Sequence, residues 1–253
     1  MNTVHFIGAG PGAADLITLR GKALLENADM VIYAGSLVNP ELLAYTKQGC
    51  EIQNSAKMTL DEVIDAIQAA VGDGKAVVRL HTGDPSLYGA VREQMDKLVA
   101  LNIAYEICPG VSSLNAAAAS LKSEYTLPGV SQTVILTRAA GETPVPERGT
   151  IQALAAHKAT MVLFLSAGLL ERATDDLIAG GYAADTPAAI VYKASWPEEK
   201  IVRCTVGTLA QKALDNHITK TALICIGDFL GDAGELSRLY APDFSTEYRE
   251  AKV

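Results

Sequence analysis

Positive charge is scarce in this chain. It carries 21 Lys+Arg against 29 Asp+Glu, a formal net charge of −8. Such a surface repels an approaching polyanion, which argues against nucleic acid as a partner, and any anionic ligand needs a local basic patch. Cysteine is also sparse and scattered. Cys50, Cys108, Cys204 and Cys225 contain no C-x-x-C pair, a pattern that suits buried thiols in a reducing cytosol better than a disulfide frame or a zinc site. The four histidines, His5, His81, His157 and His217, show no metal-ligand spacing. Long apolar runs are missing too. The longest, residues 159–170, is interrupted by Ser166 and Gly168 and is too short to span a bilayer. The opening residues 1–7 have no basic lead and run straight into glycines, so they do not read as a signal peptide. The expectation is a soluble cytoplasmic protein with no metal and no membrane partner.

What is present is ordinary globular material: 253 residues, 49% hydrophobic and 20% charged. That excludes collagen, coiled coil and wholesale disorder, and suits one large α/β domain or two smaller ones. Residues 3–7, 30–33, 76–80 and 103–107 read as strands. Between them, residues 15–27, the stripe Val63, Ile64, Ile67, Ala70, Val71, the set Val91, Met95, Leu98, Val99, and residues 112–121 have helical spacing. This alternation predicts parallel βαβ units. Leu127-Pro128-Gly129 breaks the pattern and places a boundary there, giving an N-terminal domain over 1–126 and a C-terminal one over 127–253. The second half opens with a strand at 133–137 and an exposed Pro/Gly-rich loop at 140–149. A buried-type strand at 161–165 and the helical stripe Leu170, Ala173, Leu177 follow. Residues 188–192 and 201–206, flanking Ser195-Trp196-Pro197-Glu198-Glu199, read as an antiparallel hairpin. A short helix at 208–214, a last strand at 221–226 and a polar tail after Gly231 complete a mixed sheet. The fold class is two α/β domains, with a small-molecule cleft expected between them.

Glycine-bearing loops follow four of the N-terminal strands: Gly8-Ala9-Gly10-Pro11-Gly12-Ala13, Tyr33-Ala34-Gly35-Ser36-Leu37-Val38, Thr82-Gly83-Asp84-Pro85-Ser86-Leu87-Tyr88-Gly89, and Cys108-Pro109-Gly110-Val111-Ser112-Ser113. The carboxyl ends of strands are where open α/β sheets gather ligand-binding groups. The first loop also fits the dinucleotide fingerprint G-x-G-x-x-A, which makes an NAD-dependent oxidoreductase a competing reading. That fingerprint wants an acid at the end of the second strand, and none stands at 33–36; Pro11 also removes an N–H from the cradle.

Taken together, Gly8-Ala9-Gly10-Pro11-Gly12 with Leu16-Ile17-Thr18-Leu19-Arg20-Gly21, Gly83-Asp84-Pro85 with Tyr88-Gly89, and Pro109-Gly110-Val111-Ser112-Ser113 resemble the tetrapyrrole methylase family. The resemblance runs from residue 4 to about residue 227. It implies a class III methyltransferase, a homodimer of two-domain α/β subunits that uses S-adenosyl-L-methionine. Carried over by position, Pro11, Thr82, Gly83, Asp84, Leu87, Ser112 and Ser113 line the cofactor pocket, while Ser166 and Ala194 close it from the second domain. Members that methylate uroporphyrinogen resemble Tyr-Asp-Arg-Leu after the second strand, with the Asp read as a proton acceptor; here Ala34 stands in its place. The run from Ile32 to Leu42 and Lys193-Ala194-Ser195-Trp196-Pro197 instead resemble the branch that methylates precorrin-4, or its cobalt form, at C11 in corrin (vitamin B12) biosynthesis. Methylation of another precorrin position is the alternative within the family, and a non-catalytic ligand sensor the alternative outside catalysis.

Methyl transfer from a sulfonium to an electron-rich ring carbon asks mainly for alignment, so no catalytic base is assigned. Asp84 reads either as a cofactor contact or as a helix cap. His81 reads as a substrate contact or as a structural histidine, and Tyr33, Tyr88 and Trp196 as macrocycle contacts or as packing. The anionic tetrapyrrole substrate needs cations, for which Arg20, Lys57, Arg79, Arg92, Lys122, Arg138 and Lys193 are available.

Overall fold

The structure is a computed structural model that describes residues 3–232 and 234–252, apart from the side chain of Ser36. The reading of the first two residues therefore lies outside the described ones. By contacts the chain divides into two units. One takes the residues up to 117 together with 193–199, and the other takes 118–192 and 200 onward. The division falls inside a helix, whereas the Leu127-Pro128-Gly129 break lies beyond that helix's end.

In the first unit, β1 (Val4–Gly8), β2 (Met30–Tyr33), β3 (Glu51–Asn54), β4 (Val77–His81) and β5 (Tyr105–Cys108) form one sheet in the order β3-β2-β4-β1-β5. Every pairing in it is parallel. The helices α1 (Leu19–Asn27), α2 (Leu60–Gly72) and α3 (Arg92–Ala100) connect the strands, and α4 (Ser113–Leu121) follows β5. Successive residues of a strand face opposite sides of the sheet. Phe6, Ile32 and Val77 accordingly pack with Val63, Ile64 and Ile67 of α2 and Leu98 of α3. Their neighbours Ile7, Val31, Val78 and Leu80 pack with Leu25 of α1 and with Leu42. A sheet covered on both faces explains why these strands are continuous apolar runs rather than alternating ones. Helix starts follow local chemistry. Thr59 caps α2 in a reciprocal capping box with Glu62. Thr18 Oγ1 accepts from Gly21 N at 3.1 Å, so α1 begins at Leu19 rather than at residue 15. Edge strand β3 was not expected, because Glu51-Ile52-Gln53-Asn54 buries none of its residues and has no apolar signature.

The second unit contains β6 (Val134–Arg138), α5 (Ile151–Ala155), β7 (Thr160–Phe164), α6 (Leu170–Ala179), β8 (Pro187–Tyr192), β9 (Lys200–Thr205), α7 (Leu209–Asp215) and β10 (Ala222–Ile226). Its sheet runs β6-β7-β10-β8-β9, with β6 and β7 parallel and the other pairs antiparallel. The expected mixed sheet and the β8–β9 hairpin are both there. Met161, Leu163, Ile190 and Ile224 form the core with Leu170, Ala173 and Leu177 of α6 and Leu209 of α7. Cys108 and Cys225 are buried thiols as expected, while Cys50 and Cys204 are only half-buried; all four are free. Burial pushes the Cys225 thiol up to about 12 and Cys204 to about 11, which keeps both protonated. Among the described residues no helix is long and apolar enough to cross a membrane.

Candidate functional site

Because all five strands of the first sheet run the same way, the loops after β1, β2, β4 and β5 emerge at one edge. Three of them are stitched together by main-chain bonds. Gly10 and Gly83 exchange hydrogen bonds, Gly83 N to Gly10 O at 2.8 Å and Gly10 N to Gly83 O at 3.2 Å, and Ala9 N donates to His81 O at 2.6 Å. The third loop lies so close that a Cβ on Gly110 would sit 2.2 Å from Gly83 O and 2.6 Å from Gly8 Cα. Only glycine permits that approach. The result is a floor of bare backbone.

Asp84 holds this floor in shape. Its Oδ2 accepts from Gly110 N at 2.8 Å, and its Oδ1 accepts from Ser86 N at 2.9 Å and from the Ser86 hydroxyl. Partial burial works against the carboxylate's charge, but these hydrogen bonds outweigh it and hold the group below the ordinary carboxylate range. The helix-cap reading of Asp84 is overturned, since α3 begins only at Arg92. The carboxylate clips the loop after β4 to the loop after β5. Thr82, Leu87 and Ser113 are half-buried beside it, and Gly83 is buried. Ser112 is buried, its hydroxyl accepting from Leu114 N at 3.2 Å. Pro11 is buried, with its carbonyl accepting from Trp196 Nε1 at 3.0 Å.

The two residues expected from the second domain fall in different units. Ala194 belongs to the first unit rather than the second, because residues 193–199 make their contacts there. Ser166 belongs to the second unit and is completely buried. Its hydroxyl donates to Phe164 O at 2.7 Å and accepts from Ala139 N at 2.8 Å, which ties the ends of β6 and β7 together.

The residues below the floor are structural. His81 is 3% exposed, stacks on Phe6 at 5.9 Å between ring centroids, and leaves Nε2 without a partner. Burial, aided by the nearby Arg79 charge, pulls its pKa down to about 3, so the ring is neutral. Its burial and its stacking on Phe6, rather than its charge, set aside the substrate-contact reading of His81. Arg79 is 5% exposed and also leaves the list of substrate cations. Its guanidinium donates to Gln94 Oε1 at 2.9 Å, Ile32 O at 3.0 Å and Ser55 Oγ at 3.0 Å, and Ser55 Oγ donates in turn to Tyr33 O at 3.1 Å. Burial lowers this arginine to about 10, still ionised at neutral pH. It thus braces the end of β2 just before Ala34. Arg92 pairs with Asp96 and Arg138 donates to the carbonyls of Ala139, Thr143 and Pro144, while Arg20, Lys57 and Lys122 are exposed.

Sequence reasoning missed the anchors of the first loop. Asn39 Nδ2 donates to Gly12 O at 2.9 Å and Ser195 Oγ accepts from Ala13 N at 3.1 Å, joining the Trp196 contact. The available signals were that Trp196 is the single tryptophan and that Asn39, Ser195 and Trp196 lie in the two runs that carry the branch resemblance. Beside these anchors opens a recess of about 480 Å³ whose lining includes Asp15, Glu41, Tyr45 and Trp196. It offers carboxylates and no cation, so it does not suit a polyanionic substrate.

The donor set distinguishes between cofactors. The stretches 8–13, 82–89 and 109–114 contain no Lys, Arg or His. Their carbonyls, hydroxyls and Asp84 suit a cationic sulfonium, whereas the Asp84 carboxylate would repel a pyrophosphate. A dinucleotide would also need a helix N-terminus directly behind the glycine loop, and here α1 starts only at Leu19. The floor therefore fits S-adenosylmethionine.

The chain matches the family Tetrapyrrole (Corrin/Porphyrin) Methylases over residues 3–210. It is 53% identical to the cobalt-precorrin-4 C(11)-methyltransferase of Methanocaldococcus jannaschii, over 98% of this chain and 96% of that protein. Identity to the precorrin-4 C(11)-methyltransferase of Mycobacterium tuberculosis is 48%, over 92% of this chain and 93% of that one. Among solved structures, a cobalamin biosynthetic cobalt precorrin-4 methyltransferase superposes with a TM-score of 0.89 at 48% identity, covering 90% of this chain and 96% of that chain. The uroporphyrin-III C-methyltransferase of Thermus thermophilus, complexed with S-adenosylhomocysteine, superposes with a TM-score of 0.76 at 25% identity, covering 90% and 93%. With its glycine floor intact and the match spanning most of its length, the chain belongs to the tetrapyrrole methylase family.

Proposed function

We propose that this protein transfers a methyl group from S-adenosylmethionine to C11 of precorrin-4 or cobalt-precorrin-4. The observation that carries the reading is 53% identity over nearly the full length to a cobalt-precorrin-4 C(11)-methyltransferase. Ala34, where the uroporphyrinogen methylases place an acid, supports it: β2 ends at Tyr33 and the chain continues through Ala34 into a turn with no carboxylate.

When bound, S-adenosylmethionine supplies an activated methyl on a cationic sulfur. The residues of this chain supply placement. Pro11, Thr82, Gly83, Asp84, Leu87, Ser112 and Ser113 form its seat, the buried Ser112 with its hydroxyl accepting from Leu114 N. Loop carbonyls and the Asp84 carboxylate favour the positive sulfur electrostatically. Holding the reacting carbon and methyl about 3–3.5 Å apart and in line removes most of the entropic barrier to a displacement. No general base is needed for the attack itself, since the ring carbon is already nucleophilic. The protein acts as a homodimer in the cytoplasm, the subunit number being checked by sedimentation.

The test is incubation of purified protein with S-adenosylmethionine and either precorrin-4 or cobalt-precorrin-4, read by mass spectrometry. The expected result is gain of one methyl, placed at C11 by NMR, with the preferred substrate revealing the metal state. No methylation of either, with S-adenosylhomocysteine still bound by calorimetry, would sink the C11 assignment and leave the cofactor standing.

A further inference from the structure

Residues 193–199 make a tight turn on the loop after β1. Trp196 N donates to Lys193 O at 3.0 Å, Glu199 N donates to Trp196 O at 3.0 Å, and Ser195 N donates to Glu199 Oε2 at 2.7 Å. Lys193 and Ser195 adopt φ of 46° and 69°, a region non-glycine residues seldom occupy. That shape lays the indole on the glycine loop. A Cβ on Gly12 would sit 2.2 Å from Trp196 Cδ1, so the ring occupies the space a side chain would need. Trp196 Nε1 donates to Pro11 O, Asn39 Nδ2 donates to Gly12 O, and Ser195 Oγ accepts from Ala13 N. Two successive peptide units, Pro11–Gly12 and Gly12–Ala13, are thereby held by side chains, while Gly10 is held by Gly83.

We propose that Trp196, with Ser195 and Asn39, is the positioning group of the methyl-donor loop: it fixes the orientation of the Pro11–Ala13 main chain without touching the reacting atoms. This rests on the cofactor reading above. A glycine-rich loop has the most conformational freedom to lose on ordering. The clamp removes that freedom before the donor arrives, and a preformed site binds more tightly than one that must be ordered.

Trp196 is the only tryptophan, so its emission reports this clamp in the full-length protein. S-adenosylhomocysteine is titrated into wild type by calorimetry and by tryptophan emission in parallel. The expected result is an emission change that saturates with the calorimetric signal. Trp196→Phe keeps a ring and removes the donor. It is expected to weaken S-adenosylhomocysteine about fivefold to tenfold, the worth of one net hydrogen bond, and to raise KM for the methyl donor alike. KM for the tetrapyrrole stays as in wild type. Should Trp196→Phe not fold, Ser195→Ala, which removes only the acceptor for Ala13 N, is expected to shift the same constants in the same direction. Calorimetric binding by wild type without an emission change, together with wild-type affinity in the variants, overturns the clamp and leaves the cofactor reading intact. Absence of any calorimetric binding to wild type overturns both.

Discussion

At the scale of single residues, the site depends on groups that shape backbone as well as on groups that face a ligand. Asp84 is the clearest case. Asp84→Ala removes the acceptor for Gly110 N and Ser86 N. The expected cost is about 1 kcal/mol, a charged hydrogen bond discounted for its solvent exposure, with weaker S-adenosylhomocysteine binding in calorimetry. Unchanged affinity would remove Asp84 from the site. Because its folded pKa lies below the unfolded value of 3.8, its stabilisation is complete above that pH and is lost as pH falls through the folded value. Gly110→Ala is expected to be worse, about 1–3 kcal/mol for forcing a methyl against the Gly83 carbonyl, with donor binding abolished. His81 gives a second pH signature. Its folded pKa of about 3 lies below the ordinary 6.5, so the unfolded chain binds the extra proton. Stability contributed by the neutral ring is full above 6.5 and erodes as pH falls toward 3. Urea midpoints from pH 7 to pH 4 should fall less steeply in His81→Leu, which also removes the unpaired Nε2. A parallel fall in both proteins would exclude the assignment.

At the scale of elements, β4 is the keystone of the first sheet, lying between β2 and β1 with all five residues buried. Arg79 uses this position to brace its neighbours through Ile32 O, Ser55 and Gln94. Arg79→Leu is expected to cost about 2 kcal/mol, because the buried acceptors lose their donor. A variant as stable as wild type by urea denaturation would show that the brace contributes nothing. Periodicity and loop chemistry located most elements. They missed β3, whose residues show little apolar contrast, and α5, whose five residues are too few to establish a period, and they could not rank loops. The segment around Ser195-Trp196-Pro197 reads as an ordinary hairpin tip, and nothing local shows that it makes its contacts with the glycine loop.

At the scale of the whole molecule, the chain is two units of similar construction. The first is a parallel sheet covered on both faces, the second a mixed sheet. Limited proteolysis should cut first in 140–149, which is mostly exposed, or in the exposed tail beyond 234. The region 124–130 is held by Leu127 pairing with Ser131 and by Glu235 N donating to Pro128 O, so it should survive longer. Early fragments ending within α2 would contradict this order.

The amino-acid sequence alone determined the strand and helix alternation, the glycine loops at the strand ends, the lack of an acid at Ala34 and, through the combined motifs, the family. These are local properties, set by apolar periodicity and by the residue types a turn tolerates. Tertiary structure decided what each polar group does. Only packing against Gly110 turns Asp84 into a clip, only burial on β4 takes His81 and Arg79 away from the substrate, and only contact with Pro11 makes Trp196 an anchor. Partners distant in sequence are chosen by how the elements pack, and a one-dimensional pattern carries no record of that choice.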